Sequence, residues 1–209
     1  MNETFALTAG LEEIREQFEI NKVIAVHQPR GRIEPTDDVP IIVGRRRERM
    51  LVESRWGLFP FWAKDSVHAD LRGVLSKPIF DRIVKKQRCV VPGTALTRRM
   101  QDDDGKVKRE ARLTVKDRVL FGMAGIYEER IDPRGAVHRS FTIVTTSPEG
   151  EAGAYFSGVP LFLEPDVQEA WLDPSLRDKT LWQNRFEPLG ADRLRLTVET
   201  TEPAPLFFH

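Results

Sequence analysis

Residues 53–66 read ESRWGLFPFWAKDS, gathering two of the chain's four tryptophans and two of its twelve phenylalanines around one proline. The stretch RMLVESRW (49–56) alternates apolar and polar residues, and Gly57 and Pro60 then punctuate it, so a strand ends here in a turn. Rings at a strand end have two physical uses. They plug the mouth of a β-rich core, or they offer a flat face on which a planar ligand stacks. The pattern leaves both uses open for Trp56 and divides Phe59 and Phe61 between core and surface.

Working outward, VPIIV (39–43) reads as the strand before this one, joined to it by the arginine-rich turn GRRRER (44–49). KREARLTVKD (108–117), VLFGMAGIYEE (119–129) and RSFTIVTTS (139–147) read as three more strands separated by turn residues. RCVVP (88–92) is a short strand stopped by Pro92, and DRLRLTVET (192–200) is a last one. TAGLEEIREQFEI (8–20) has Leu11, Ile14 and Phe18 on one helical face with Thr8 as its cap. SKPIFDRIVKKQ (76–87) reads as a helix capped by Ser76 with Pro78 in its first turn. EPDVQEAWLDPSLRDKTLWQN (164–184) reads as two short helices broken at Pro174. Strands dominate and helices are short and interspersed. The expected class is α+β, a β-rich fold with a barrel-like, mostly antiparallel sheet, built as a single domain over residues 1–209.

Composition narrows the function classes. The chain carries 32 Lys and Arg against 32 Asp and Glu, yet residues 1–100 hold 18 basic against 13 acidic residues. That uneven distribution suits either solvated faces or a groove that follows phosphates. No run approaches the ~20 apolar residues that span a bilayer, and the first residues lack a signal-peptide pattern, so a cytoplasmic protein without a membrane partner is expected. Four scattered histidines and one cysteine give no zinc-ligand spacing, so neither metal nor cofactor is expected. Cys89, followed by two valines, reads as a buried, inert thiol. A monomer is the expected state.

Taken in order, several segments resemble one family. RWGLFPFWAKD is similar to the Trp-Gly-Leu-x-Pro-x-Trp-Ala-Lys-Asp block of the SOS response-associated peptidase (SRAP) family of abasic-site DNA–protein crosslinkers. RIEPTDDVPII resembles its Ala-Pro-Thr segment, SKPIFDRIVKKQRCVVP its Lys-Pro helix and Arg-Cys-x-x-Pro strand, and LFGMAGIYEE its Phe-Ala-Gly-Leu-Trp-Glu strand. SFTIVTT and VPLFLEPDVQEAWLD resemble the segments that follow. The likeness runs collinearly over residues 28 to 173.

The resemblance implies a chemistry. An exposed Cys at position 2 captures the ring-opened abasic aldehyde as a thiazolidine, assisted by an Asn, a Glu and a late His. An aldehyde needs an amine, a second nucleophile and a proton shuttle to be trapped in this way. This chain departs at each of those positions. Asn2 stands at the Cys, with Glu3 at the Gly behind it. His68 stands at the Asn, Asp70 and Arg72 at a neighbouring Arg and Glu, Arg98 at the catalytic Glu, Phe156 at the His and Gly158 at the Arg beside it. No catalytic residue is therefore expected. The retained block implies single-stranded DNA as partner, with Arg30, Arg32 and Arg98 on phosphates and Trp56, Phe61 and Trp62 as stacking rings. His68 with Asp70 could form a substitute imidazole–carboxylate pair. Two alternatives stand beside this reading: an active enzyme that uses the Met1 amine for a transient imine, and a protein-interaction module without DNA.

Overall fold

The computed structural model describes residues 3–45, 48–59, 63, 66–101, 108–178, 182 and 186–201. Asn2, Arg46, Pro60, Phe61 and Trp62 lie outside the described residues. In chain order the first elements are β1 (Glu3–Leu7), α1 (Leu11–Gln17), β2 (Lys22–Val23), β3 (Arg30–Ile33), β4 (Asp38–Arg45), β5 (Glu48–Trp56) and β6 (His68–Asp70). Next come α2 (Leu71–Ser76), α3 (Pro78–Lys86), β7 (Arg88–Gly93), β8 (Ala95–Gln101), β9 (Lys108–Val115), β10 (Phe121–Ile131) and β11 (Val137–Thr146). The last are β12 (Val159–Pro160), β13 (Phe162–Leu163), α4 (Pro165–Leu172) and β14 (Leu194–Thr201). No helix among the described residues is long and apolar enough to cross a membrane.

The expected barrel is present. β5, β4, β7, β10 and β11 pair in that order, each antiparallel to the next. The ring closes where β11 runs parallel to β5, with Ser140 opposite Arg55 and Phe141 opposite Trp56. Closure leaves these five strands no open edge for another chain to extend. A second, antiparallel sheet in the order β14-β9-β8-β1-β3 flanks the barrel. The chain passes from barrel to flanking sheet between β7 and β8, where the Thr94 hydroxyl accepts from the Thr8 N–H at 3.2 Å.

Inside the barrel the period-2 rule holds. Val52, Ser54 and Trp56 of β5 point inward and are buried, while Glu53 and Arg55 between them face out. Trp56 fixes the end of the strand: its indole N–H donates to Val67 O at 3.0 Å, and its ring meets Phe5 edge-on at 5.0 Å. Gly57 then turns the chain at φ 128, donating to Phe141 O at 2.8 Å across the closing seam. Gly57→Ala forces an L side chain into that region, a cost of about 1–3 kcal/mol. The variant should melt several degrees below wild type in thermal unfolding followed by circular dichroism. An unchanged midpoint would mean the turn accommodates a Cβ.

On the other side of the barrel, Arg88 opens β7 and is 3 % exposed. Its guanidinium donates to Trp171 O at 2.5 Å, to Val84 O at 2.7 Å and to Asp173 O. It also lies over the Trp182 ring at 4.5 Å. Burial pulls its pKa down to about 10, with Asp173 opposing, so it stays charged at neutral pH. One cation thus ties α3, β7 and the end of α4 together.

Local readings need correction in three places. α1 is capped by Gly10 rather than Thr8: the Glu13 carboxylate accepts from the Gly10 N–H at 2.6 Å, the reciprocal half of a capping box. Ser76 ends α2, donating to Arg72 O at 2.7 Å, and Lys77 precedes α3 with Pro78 in its first turn. Pro92 does not stop β7. It pairs with Gly122, and the strand runs on to Gly93.

Candidate functional site

β1 carries the first described residue, Glu3, into a niche between the two sheets. Register sets its neighbours. β1 pairs with β8 so that Glu3 lies opposite Arg98, and a buried Thr4–Thr97 hydroxyl contact of 2.7 Å locks that alignment. His68 reaches the same carboxylate from β6, which runs parallel to β11 with His68 opposite Ile143. Glu3 Oε1 lies 3.6 Å from an Arg98 nitrogen and 3.5 Å from the Ser157 hydroxyl, and its Oε2 lies 3.6 Å from His68 Nδ1. The Glu3 side chain is only 9 % exposed, while that of Arg98 is 35 % exposed and stands at the mouth.

Arg98 is anchored from behind by the Tyr155 carbonyl, which accepts at 2.5 Å. His68 packs edge-on against Trp56 with ring centroids 5.5 Å apart. Burial pulls the His68 pKa down to about 4, so the imidazole is neutral at pH 7 and meets Glu3 as a polar ring, not as a cation. Among the described residues Glu3 therefore has one charged partner, Arg98, and all three neighbouring groups stand beyond the 2.7–2.9 Å typical of charge-assisted bonds. The niche holds a carboxylate loosely.

The positions singled out in the sequence divide clearly. His68 and Arg98 converge on Glu3. Phe156 is 1 % exposed and belongs to the hydrophobic core, its N–H bonded to Ala152 O at 2.8 Å, so a core ring stands at that position. The substitute pairing of His68 with Asp70 that the sequence leaves open does not form: Asp70 caps α2, accepting from Arg72 and Gly73 N–H at 3.0 and 3.3 Å, and the carboxylate beside His68 is Glu3. Trp56 is corrected as well. At 1 % exposure, with its N–H bonded inside, it presents no face to a base. Phe59 is an exposed ring of the block at 51 %, with the Arg130 guanidinium 4.8 Å from its centroid. Asn2, Phe61 and Trp62 lie outside the described residues.

Arg30 and Arg32 sit on β3 beside the Glu34–Asp37 turn, each already paired. Arg30 donates to Asp38 O and faces Asp37 at 3.5 Å, while Arg32 meets Glu34 at 2.6 Å. Such half-exposed ion pairs contribute about 0–1 kcal/mol, so a phosphate can compete for either arginine. Thr36 in this turn has φ 83, unusual for a β-branched residue, and its N–H donates to Trp56 O at 2.8 Å. The turn is thus strapped to the strand end that supports His68. Cys89 is fully buried and burial pushes its thiol pKa up, leaving an unreactive group. No cluster of His, Cys, Asp and Glu among the described residues has the geometry of a metal site. Sequence reasoning misses Ser157 and the central place of Glu3, which reads there only as a replaced glycine.

The chain as a whole is similar to known proteins. The family model described as SOS response associated peptidase (SRAP) matches residues 1–201. Abasic site processing protein YoaM of Bacillus subtilis is 28% identical over 196 residues, covering 90% of this chain and 86% of its own. YoqW of the same organism, also an abasic site processing protein, is 28% identical over 196 residues, covering 90% of this chain and 87% of its own. Among solved structures, a protein from Bacteroides thetaiotaomicron superposes with a TM-score of 0.76 at 24% identity, covering 95% of this chain and 91% of that one. That last likeness speaks for the fold alone.

Proposed function

The chain belongs to the SRAP family, and from that premise we propose that it is a catalytically degenerate member that binds single-stranded DNA without processing it. One observation carries the reading: the niche spends its charged groups on each other. The Arg98 guanidinium offers donors and no acceptor for a proton, Phe156 has no titratable group, and His68 is held neutral by burial. The carboxylate of the niche, Glu3, faces Arg98. Position 2 is Asn, whose amide supplies no thiol to close a five-membered ring on an aldehyde. Binding asks less. It needs a basic, partly aromatic surface, to which the exposed Phe59 ring, Arg30, Arg32 and the exposed edge of Arg98 contribute.

The test pairs a gel with a binding isotherm. Mixed with an abasic single-stranded oligonucleotide and then heat-denatured, the protein should show no shifted covalent band. In fluorescence anisotropy the same oligonucleotide should bind in a sequence-tolerant way, with affinity falling steeply as salt rises. Each lost phosphate contact flattens the log–log slope by about 0.7 on a single strand. Arg30→Ala should weaken binding and lower the slope; Trp62→Ala should weaken it at an unchanged slope. A heat-stable adduct formed without reductant would overturn the degenerate reading, and a band trapped only by borohydride would favour a transient imine on a chain amine. No binding at low salt would end the DNA reading.

A further inference from the structure

We propose that Glu3 is an exchangeable internal ligand: it fills an anion seat formed by Arg98 and Ser157, and a phosphodiester oxygen of a bound strand takes its place. This deepens the DNA-binding reading and rests on it for the identity of the anion. Three observations lead there. First, the seat is built. A guanidinium and a hydroxyl converge on Glu3 Oε1 at 3.6 and 3.5 Å, and His68 flanks Oε2 at 3.6 Å. Second, the occupant fits poorly, since none of those groups closes to charge-assisted distance although the carboxylate is 9 % exposed. A tetrahedral oxyanion extends further from its centre than a carboxylate and can span donors at this spacing.

Third, the seat opens outward on the side of its cation. The Arg98 side chain is 35 % exposed, and the Tyr155 carbonyl holds the guanidinium in place whatever occupies the seat. Glu3 opens β1 among the described residues, so withdrawing its side chain leaves the Thr4–Thr97, Phe5–Leu96 and Ala6–Ala95 pairing with β8 in place. With Glu3 seated, the charges of Glu3 and Arg98 cancel and the niche attracts no anion strongly. Without it, Arg98 presents an uncompensated positive charge at the mouth. Glu3 thus weakens strand binding and sets its threshold.

The experiment uses Glu3→Gln, which keeps shape and hydrogen bonding and removes the charge. Three comparisons accompany it: Arg98→Gln, the Glu3→Gln/Arg98→Gln double variant, and Glu110→Gln. Glu110 faces Arg99 at 2.6 Å on the neighbouring strand and controls for net charge alone. Circular dichroism and melting establish that each variant is folded. With a labelled single-stranded oligonucleotide, Glu3→Gln should bind roughly three- to tenfold more tightly, with a salt slope steeper by about 0.7. The double variant should lose the gain, and Glu110→Gln should show none.

A second arm uses inorganic phosphate without DNA. Millimolar phosphate should raise the melting temperature of Glu3→Gln more than that of wild type or of the double variant. If wild type binds the oligonucleotide and Glu3→Gln binds it equally, the exchange is wrong while the DNA reading stands. If no variant binds the oligonucleotide but phosphate stabilises Glu3→Gln, the seat stands and the DNA reading falls. An equal gain from Glu110→Gln would reduce the effect to net charge and overturn the proposal.

Discussion

Replacing Arg88 by methionine is expected to lower the thermal midpoint by on the order of 10 °C, well beyond the effect of Gly57→Ala. The side chains are similar in length and both pack, so lost volume is not the cause. The guanidinium alone satisfies the Trp171, Val84 and Asp173 carbonyls and covers the Trp182 ring. Removing it strands buried acceptors, and breaking a buried charged network costs about 3–5 kcal/mol. Lysine is no rescue. Its single ammonium cannot reach three diverging carbonyls while stacking on an indole, so Arg88→Lys should fall most of the way to Arg88→Met. Differential scanning calorimetry on the three proteins decides it. A lysine variant as stable as wild type would show that charge, not the planar fork, does the tying.

Acid should unfold the protein through His68. The native state keeps this ring neutral down to about pH 4, whereas the unfolded chain binds the proton near the ordinary histidine value of 6.5. Between those limits the unfolded state holds more protons, so stability falls as pH falls from about 6.5 to 4 and the His68 contribution levels off below 4. The whole step amounts to roughly 3 kcal/mol. The Glu3 carboxylate at 3.6 Å opposes part of it by favouring the protonated ring, while the apolar edge of Trp56 at 5.5 Å does not. Urea midpoints measured across that window should slope with pH in wild type and flatten in His68→Gln. Equal slopes in both would assign the acid sensitivity elsewhere.

Legibility divides along the strand pairings. β9, β10, β11 and β14 can be read from sequence because each carries its pattern in consecutive residues. Trp56 is readable too. Counting by twos along β5 from Val52 through Ser54 puts the indole inside, and the family likeness argues for a stacking role against that count. β1 is not readable, since its burial includes Glu3 and Thr4, polar residues that no periodicity rule sends inward. The niche shares the difficulty. That Glu3, His68 and Arg98 meet depends on β1–β8 and β6–β11 registers, which join segments remote in sequence. The residue-by-residue likeness names His68 and Arg98 as departures, but only register shows them facing one carboxylate.

The parallel seam that closes the barrel bears on the order in which the protein can be made. Arg55 and Trp56 find Ser140 and Phe141 only after most of the chain has been synthesised. A nascent chain of about a hundred residues can hold the β4–β5 hairpin and lay β7 beside β4, but its sheet is an open ribbon with exposed edges on both sides. β6 lacks its β11 partner at that stage, so His68 waits in solvent with it. Pairing so distant in sequence makes for slow folding. Until β11 is made the ribbon keeps those edges unpaired, and the Glu3 niche comes into being with the last turn of the barrel.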